Sequence, residues 1–267
     1  MPGLGRIFRR RPAPRFTVLA YHAVGECSSA DDRNSLFVSP AAFARQMDDL
    51  ARTRRVLPLA EVLADELPPG KPAVAITFDD GYRCVREHAL PVLERNGFPA
   101  TMFVPTAYIG DENRWNPPCP CPLDIMTADE LRDADVRGLS IEAHGHAHAD
   151  LTEADEATAA DDIGQSLGVL RSLLGREPRF LAFPFSHGSR DAQVAASRLG
   201  LDAAFSIDRP GTGPFDRARV QVTPYDSRRM FRFKTSGRYL AWRFSAVSRV
   251  GVALIRPIRS VLRRVRA

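Results

Sequence analysis

Two adjacent carboxylates, Asp79 and Asp80, follow a short apolar run and precede a glycine in the stretch 74–81. Such a run, when it ends in polar residues, is typical of a buried strand that carries its last side chains to the edge of a sheet. Neighbouring carboxylates repel each other, so one must hold a proton or lie against a cation. A divalent metal would stabilise the pair, with one carboxylate as ligand and the other free as a base. An ordinary Asp-Asp-Gly turn is the alternative, and this stretch alone does not decide between them.

Three of the six histidines lie within five residues, at His144, His146 and His148. His144 and His148 are four residues apart, the spacing that lets two imidazoles bind one ion on a helical turn, as in the HExxH zinc site. The glutamate of that zinc site is absent here, so a different base is needed. Asp79 can be that base, and the two groups together predict a metal site.

The elements that must position these residues alternate between strand and helix. Strands are predicted at 16–20, 55–59, from 74, and at 100–104, 139–143, 180–185 and 203–207. This alternation predicts an α/β barrel or an open parallel sheet, in which chemistry takes place at the carboxyl ends of the strands. The candidate residues that fall at such ends are His22, Asp79, Asp80, His144, His148 and His187.

His22 and Trp115 each have an explanation that involves no function. For His22, taken alone, a hydrogen-bonded imidazole at a strand end is the simpler one. The long loop 105–123 carries Trp115 and could form the wall of a substrate groove, but the tryptophan could equally pack the loop onto the core.

Charge divides the chain into three parts: a basic segment 1–15, a principal domain 16–226, and a basic tail 227–267. The tail has 12 Arg or Lys and the first segment 5, neither with an acid, so the 37 basic and 32 acidic residues of the chain leave 20 against 32 in the domain. An acidic domain argues against a nucleic-acid partner. The tail predicts a basic amphipathic helix for an anionic membrane surface, or one that packs on the barrel with its arginines in solvent.

No apolar segment has the length of a signal peptide core or a membrane span. We therefore expect a cytoplasmic protein, peripheral to the inner face of the membrane. The four cysteines have no CxxC spacing and predict no disulfide framework. Cys119 and Cys121 are weak evidence for a metal, and a proline-stiffened loop explains them as well.

Over residues 16–226 the chain resembles the NodB-type polysaccharide deacetylases of carbohydrate esterase family 4. Residues 77–81 match the TFDDG motif, and residues 144–151 resemble the H-(S/T)-x-x-H-x-x-L motif, with Gly145 in place of Ser or Thr. The resemblance implies an irregular (β/α)7-type barrel, a deformed TIM-like fold. It also implies that Asp79 is the general base and that Asp80, His144 and His148 hold the metal.

The remaining motifs depart from the family pattern. Residues 182–188 resemble the R-x-P-Y-G motif, but Ala182 replaces the arginine that steadies the catalytic aspartate. No histidine follows His187, so the usual C-terminal general acid is absent. Residues 18–22 resemble that motif as it occurs at the N-terminus of a circularly permuted branch, which includes deacetylases of poly-N-acetylglucosamine. This implies that His22 is the general acid, with His187 as the rival.

By this resemblance the protein is a metal-dependent hydrolase that removes N-acetyl groups from a sugar of a polysaccharide or glycolipid. The metal polarises the acetamide and activates a bound water, Asp79 takes its proton, and a histidine protonates the leaving amine. Zinc is expected first, with nickel, cobalt or iron also suited to these ligands. An O-acetyl esterase and a catalytically weak carbohydrate-binding protein are the alternatives. The residues expected to contact substrate are Tyr21, Trp115, Pro184 and Phe185.

Overall fold

The computed structural model describes residues 16–32, 34–63, 67, 70–115, 121, 123–209, 211 and 213–245. Its strands are β1 Phe16–Tyr21, β2 Ala23–Val24, β3 Phe37–Val38, β4 Arg55–Val56, β5 Ala73–Phe78, β6 Ala100–Val104, β7 Leu139–Ala143, β8 Phe180–Ala182, β9 Ala203–Ile207 and β10 Arg217–Gln221. Its α-helices are α1 Pro40–Thr53, α2 Leu59–Val62, α3 Leu90–Asn96, α4 Ala128–Val136, α5 Glu156–Leu174, α6 Arg190–Arg198, α7 Arg228–Lys234 and α8 Tyr239–Arg243.

Seven parallel strands close into a barrel. The order β1, β10, β9, β8, β7, β6, β5 returns to its start because β5 also pairs with β1, from Phe16 opposite Ala73 to Tyr21 opposite Phe78. Strand β4 pairs with the first residues of β5, outside this closed ring. The expected irregular (β/α)7 barrel is thus confirmed, and the carboxyl ends of β1, β5, β7, β8 and β10 meet at one rim.

The local sequence explains most of these elements. Strand β5 is buried along its whole length, which fits an apolar run covered on both sides. Ser39 caps α1 by accepting the N–H of Ala42, and Pro40 occupies the first turn. Gly97 ends α3 in the left-handed conformation at φ 64°.

Three features of these elements were not predicted. Helix α5 begins after Asp155, whose side chain caps it by accepting the N–H of Thr158. A turn of π-helix, Val85–Ala89, directly precedes α3. Strand β10 was not predicted, and it is the strand that closes the barrel between β9 and β1.

The start of the basic tail packs on the barrel. In α7, Phe231 is buried, and Arg228 and Arg232 donate to the Asp49 carboxylate of α1. The rest of the predicted amphipathic helix, residues 246–267, lies outside the described residues. Within the described part, no helix combines the length and apolar character needed to cross a membrane.

A disulfide joins Cys27, in the loop after β2, to Cys121, in the loop that follows β6. The cysteine spacing did not predict it, because the partners are 94 residues apart and only the fold brings them together. Cys121 is therefore not available as a metal ligand while the bond is intact.

Candidate active site

One cavity of about 310 Å³ opens at the carboxyl rim of the barrel. The residues that line it come from six strand ends and two loops: His22, Asn34, Leu36, Asp79, Asp80, Trp115, His144, His148, Phe183, Phe185, Ser186, Ile207 and Gln221. Asp79 and Asp80 thus face the same cavity as His144 and His148.

Asp80, His144 and His148 form a buried cluster whose candidate ligand atoms all lie within 4.8 Å of one another. The Nε2 atoms of His144 and His148 are each 3.3 Å from Oδ1 of Asp80. Asp80 reaches this position through a left-handed backbone, φ 73°, which costs about 1–3 kcal/mol in a non-glycine residue. Such strain at a cavity is typical of a functional position.

Burial and mutual contact set the charges of this cluster. Burial alone would raise the pKa of Asp80, but hydrogen bonds from His144 and His148 hold the pKa of that carboxyl well below its ordinary value. Burial lowers the pKa of His148. For His144 the effect of burial is outweighed by Asp80 and Asp79, which raise its pKa. The ionised carboxylate of Asp80 therefore faces His148, whose lowered pKa favours the neutral form of the imidazole that binds metals.

The two imidazoles are held differently. Nδ1 of His144 lies 2.7 Å from the carbonyl oxygen of Ala182, which accepts its N–H and leaves Nε2 free to face Asp80. Nδ1 of His148 is buried and has no hydrogen-bond partner among the residues that the structure describes. Its ring is stacked on Trp115 at 4.2 Å between centroids and meets the edge of Phe185 at 4.9 Å.

These three residues fit a divalent metal. One carboxylate oxygen and two imidazole nitrogens converge, the accepting carbonyl at Ala182 fixes the tautomer of His144, and three protein ligands are the number found at catalytic zinc sites. Zinc suits this set, and nickel, cobalt and iron also accept it.

Asp79 makes a bidentate ion pair with Arg219 of β10. Nη1 and Nη2 of the guanidinium donate to Oδ1 and Oδ2 of Asp79 at 2.6 and 2.8 Å. Burial would raise the pKa of Asp79, but Arg219, with smaller effects from His144 and His22, outweighs it and lowers the pKa. Asp79 is therefore an ionised carboxylate with a fixed orientation.

The arginine that pairs with Asp79 is therefore Arg219, and it comes from β10 and not from position 182, where this chain has alanine. Its side chain is fully buried, also donates to Oγ1 of Thr77 at 3.0 Å, and lies over the ring of Phe103. A buried arginine requires a carboxylate partner. Sequence reasoning missed Arg219 because the alternating arginines of β10, Arg-Ala-Arg-Val-Gln, are typical of an exposed edge strand. Only closure of the barrel places this strand beside β1.

The two candidate acid histidines are in different environments. Nε2 of His22 is 3.9 Å from Oδ2 of Asp79, and its side chain lines the cavity. His187 is half-buried and is not among the described residues that line the cavity. It lies near Asp150, whose pKa is lowered mainly by the N–H of Thr152 and only slightly by His187.

The loop after β7 is not the helical turn that the His144 to His148 spacing suggested. Gly145 and His148 adopt left-handed φ values of 72° and 50°, and the chain bends between them, so both rings reach Asp80 without a helix.

Two of the expected substrate contacts are corrected. Tyr21 is fully buried, and its hydroxyl donates to Oε1 of Gln46 at 2.9 Å, so it packs in the core. Pro184 is also buried, and it is not among the described residues that line the cavity. Trp115 and Phe185 do line it, and Phe185 is exposed over 48% of its surface.

Comparison with known proteins gives a family and a fold. The family model described as polysaccharide deacetylase matches residues 66–204, slightly over half of the chain. A "Poly-beta-1,6-N-acetyl-D-glucosamine N-deacetylase" of Staphylococcus aureus (strain MSSA476) is 29% identical over 153 residues, which are 54% of this chain. The match spans 51% of that relative, so this chain covers about half of its length.

Two solved structures share the fold. The deacetylase PplD of Streptococcus pyogenes, in complex with acetate, superposes with a TM-score of 0.70 at 21% identity, over 82% of this chain and 97% of that one. IcaB from Ammonifex degensii superposes with a TM-score of 0.68 at 24% identity, over 86% and 97% of the two chains.

Proposed function

Since the chain belongs to the polysaccharide deacetylase family, we propose that it hydrolyses the N-acetyl group of an N-acetylated sugar in a polysaccharide or glycolipid. The observation that carries this proposal is the buried cluster of Asp80, His144 and His148 beside the ionised Asp79, all facing one cavity. An amide is a poor electrophile, and its hydrolysis needs carbonyl polarisation, a base and an acid, each of which has a candidate here.

Asp80, His144 and His148 would hold the divalent metal, with zinc preferred. When bound there, the metal would supply Lewis-acid polarisation of the acyl carbonyl and lower the pKa of water that it coordinates. The residues around it then divide the proton transfers between them.

Asp79 is proposed as the general base. Its carboxylate lines the cavity, and the fork of Arg219 holds it in one plane so that an oxygen lone pair stays directed at the reaction centre. Because the pairing lowers the pKa of Asp79, the group is in its proton-accepting form at neutral pH.

His22 is proposed as the general acid. It follows β1, the strand that lies between β5 and β10 in the barrel, and its Nε2 is 3.9 Å from the Asp79 carboxylate. From there a protonated imidazole can donate to an amine nitrogen as it leaves. His187, outside the lining of the cavity, is the less suitable candidate.

The substrate class is proposed from the cavity and from the relatives. A space of about 310 Å³ with an exposed aromatic side chain, Phe185, at its mouth suits one sugar ring of a larger glycan. The named activity of the Staphylococcus aureus relative makes poly-N-acetylglucosamine the first substrate to test.

Acetate release is the test. Purified protein should be stripped of metal, reloaded with zinc, nickel, cobalt or iron, and supplied with β-1,6-linked N-acetylglucosamine oligomers, other N-acetylated glycans, glycolipids and O-acetylated glycans. Metal-dependent acetate release from N-acetylated substrates supports the proposal. Release only from O-acetylated substrates would identify an esterase, and glycan binding without release would identify a carbohydrate-binding protein; either result contradicts the proposal.

We also propose an anionic membrane surface as a partner of the tail. Its 12 basic residues without an acid, and the exposed Trp242 and Met230 in its described part, support this. Flotation with liposomes that contain anionic lipid should require residues 227–267, and equal flotation after their removal would exclude the proposal.

The predicted cytoplasmic location stays a prediction. The Cys27–Cys121 disulfide is unusual for a cytoplasmic protein, whose thiols are normally kept reduced. Alkylation of thiols at the moment of cell lysis measures this directly: both cysteines should be modified if the protein works in the reducing cytoplasm.

A further inference from the structure

The loop that carries both metal-ligand histidines has few interactions of its own. It follows β7, contains the two left-handed residues Gly145 and His148, and forms no helix whose hydrogen bonds would fix it. Among the described residues, Nδ1 of His148 has no hydrogen-bond partner. The position of this ring therefore depends on the backbone that carries it and on its contacts with Trp115, Phe185 and Asp80. Something outside the loop must therefore hold that backbone.

Asp162 of α5 provides this support. Its Oδ2 accepts the N–H of His146 at 3.1 Å and its Oδ1 accepts the N–H of Ala147 at 2.8 Å. The Asp162 side chain is largely buried, so these bonds are shielded from water. They bind the two peptide groups between His144 and His148 to a rigid helix, because the carboxylate spans both donors.

The opposite side of the same peptides is also bound. The carbonyl oxygen of Gly145 accepts the N–H of Thr106, and that of His146 accepts the N–H of Ala107 at 2.9 Å. On the β6 side the hydroxyl of Thr106 also lies 2.9 Å from Nδ1 of His146. The loop is thus held from two directions, by these groups on the β6 side and by the side chain of Asp162 on the α5 side.

Gly145 makes room for this carboxylate. A Cβ at position 145 would lie 2.5 Å from Oδ2 of Asp162, closer than real Cβ contacts come. The carboxylate therefore occupies the space that a side chain at 145 would need. Glycine at 145 and aspartate at 162 belong together, and the glycine does not loosen the loop, because Asp162 replaces its missing side chain.

We propose that Asp162 is a positioning residue that sets metal affinity by holding the His144–His148 loop. The proposal rests on the proposed function only in taking these histidines as metal ligands. Groups that orient metal ligands from behind typically change affinity by about 10–100-fold when removed. Asp162→Ala should lower zinc affinity by about that factor, and Asp162→Asn, which keeps one oxygen acceptor, should fall between it and the wild type.

The test measures zinc binding alone, by competition with a chromophoric chelator, together with amide hydrogen exchange. Asp161→Ala is the matched control, since Asp161 is the exposed neighbour on α5 and bonds only to Gln165 among the contacts described. We expect faster exchange at His146 and Ala147 and weaker zinc binding in both Asp162 variants, and neither effect in the control. A zinc affinity of Asp162→Asn equal to that of the control would overturn the proposal, even if Asp162→Ala does not fold.

A double-mutant cycle tests the pairing with Gly145. Gly145→Ala should weaken zinc binding when Asp162 is present and cost less in the Asp162→Ala background, because the contact at 2.5 Å is then gone. An equal cost in both backgrounds contradicts the pairing. None of these measurements uses a substrate, so a wild type that binds zinc but releases no acetate would reject the proposed function and leave this inference standing.

Discussion

The two neighbouring carboxylates, Asp79 and Asp80, have opposite surroundings. Asp80 faces two histidines from a loop whose pattern is visible in the sequence. Asp79 faces a buried guanidinium from β10, 140 residues away, and a histidine from β1. The two adjacent side chains therefore have different charged groups around them. Because of this difference we assign Asp80 to a cation site and Asp79 to proton transfer.

The largest effect is expected on the Asp80 side. His148→Ala removes one of three converging ligand atoms, so both zinc binding and acetate release should be lost, and chelation of the wild type should have the same effect and be reversed by zinc. His88→Ala, which changes an exposed histidine on the helix after β5, is the control. Acetate release by metal-free protein would remove the metal from the account.

On the Asp79 side, Arg219→Met should lower both stability and turnover. It leaves a buried carboxylate without its partner, which costs about 3–5 kcal/mol. Chemical denaturation measures the stability, with Arg217→Met on the same strand as the control. Zinc affinity should change far less than in His148→Ala, and an equal loss of zinc would show that the two sides are not separate.

The acid is tested by a pair of variants. His22→Gln should lower kcat by about 10²–10⁴-fold, the usual contribution of a general acid, with zinc retained. His187→Gln should leave kcat close to that of the wild type, since His187 lies outside the lining described for the cavity. The reverse result would move the acid to His187.

The pH dependence separates the sides further. The base must be ionised, and Arg219 lowers the pKa of Asp79, so activity should persist down to pH values below the ordinary carboxyl pKa and fall as pH drops through the lowered one. Without Arg219 the pKa of Asp79 rises, and the acid limb of kcat/KM in Arg219→Met should move to higher pH. An unmoved limb would mean that Arg219 does not control this ionisation.

The smallest effect is expected from loss of the disulfide between Cys27 and Cys121. Cys121 lies in the same loop as Trp115, whose ring stacks on His148. Cys27→Ser with Cys121→Ser should lower stability by about 2–4 kcal/mol, because the bond closes a loop of 94 residues. Thermal denaturation with and without reductant checks this. Cys84→Ser, which changes a cysteine that is free in the described part of the chain, is the control. Equal melting of the double variant and the wild type would contradict the prediction.

Sequence reasoning recovered the Asp80 side well and the Asp79 side poorly. Asp80, His144 and His148 lie within two short motifs, each at the end of a strand that its apolar run predicts. Arg219 could not be found, because its significance comes from closure of the barrel around β10, a long-range pairing with no local signal. The Cys27–Cys121 bond was missed for the same reason.

Expectations about single side chains failed where orientation decides. Tyr21 and Pro184 are next to cavity residues in sequence, yet both point into packed regions. The spacing of His144 and His148 is one that can bind an ion from a helical turn, whereas glycine at 145 and the carboxylate of Asp162 give this loop a different shape. Spacing in sequence identified the ligands but not the backbone that presents them.

The division of the two carboxylates is tested most directly by zinc content and acetate release measured together in Asp79→Asn and Asp80→Asn. We predict that Asp79→Asn retains zinc near the wild-type level and loses turnover, whereas Asp80→Asn loses both. Loss of zinc in Asp79→Asn, or normal turnover in either variant, would contradict the account.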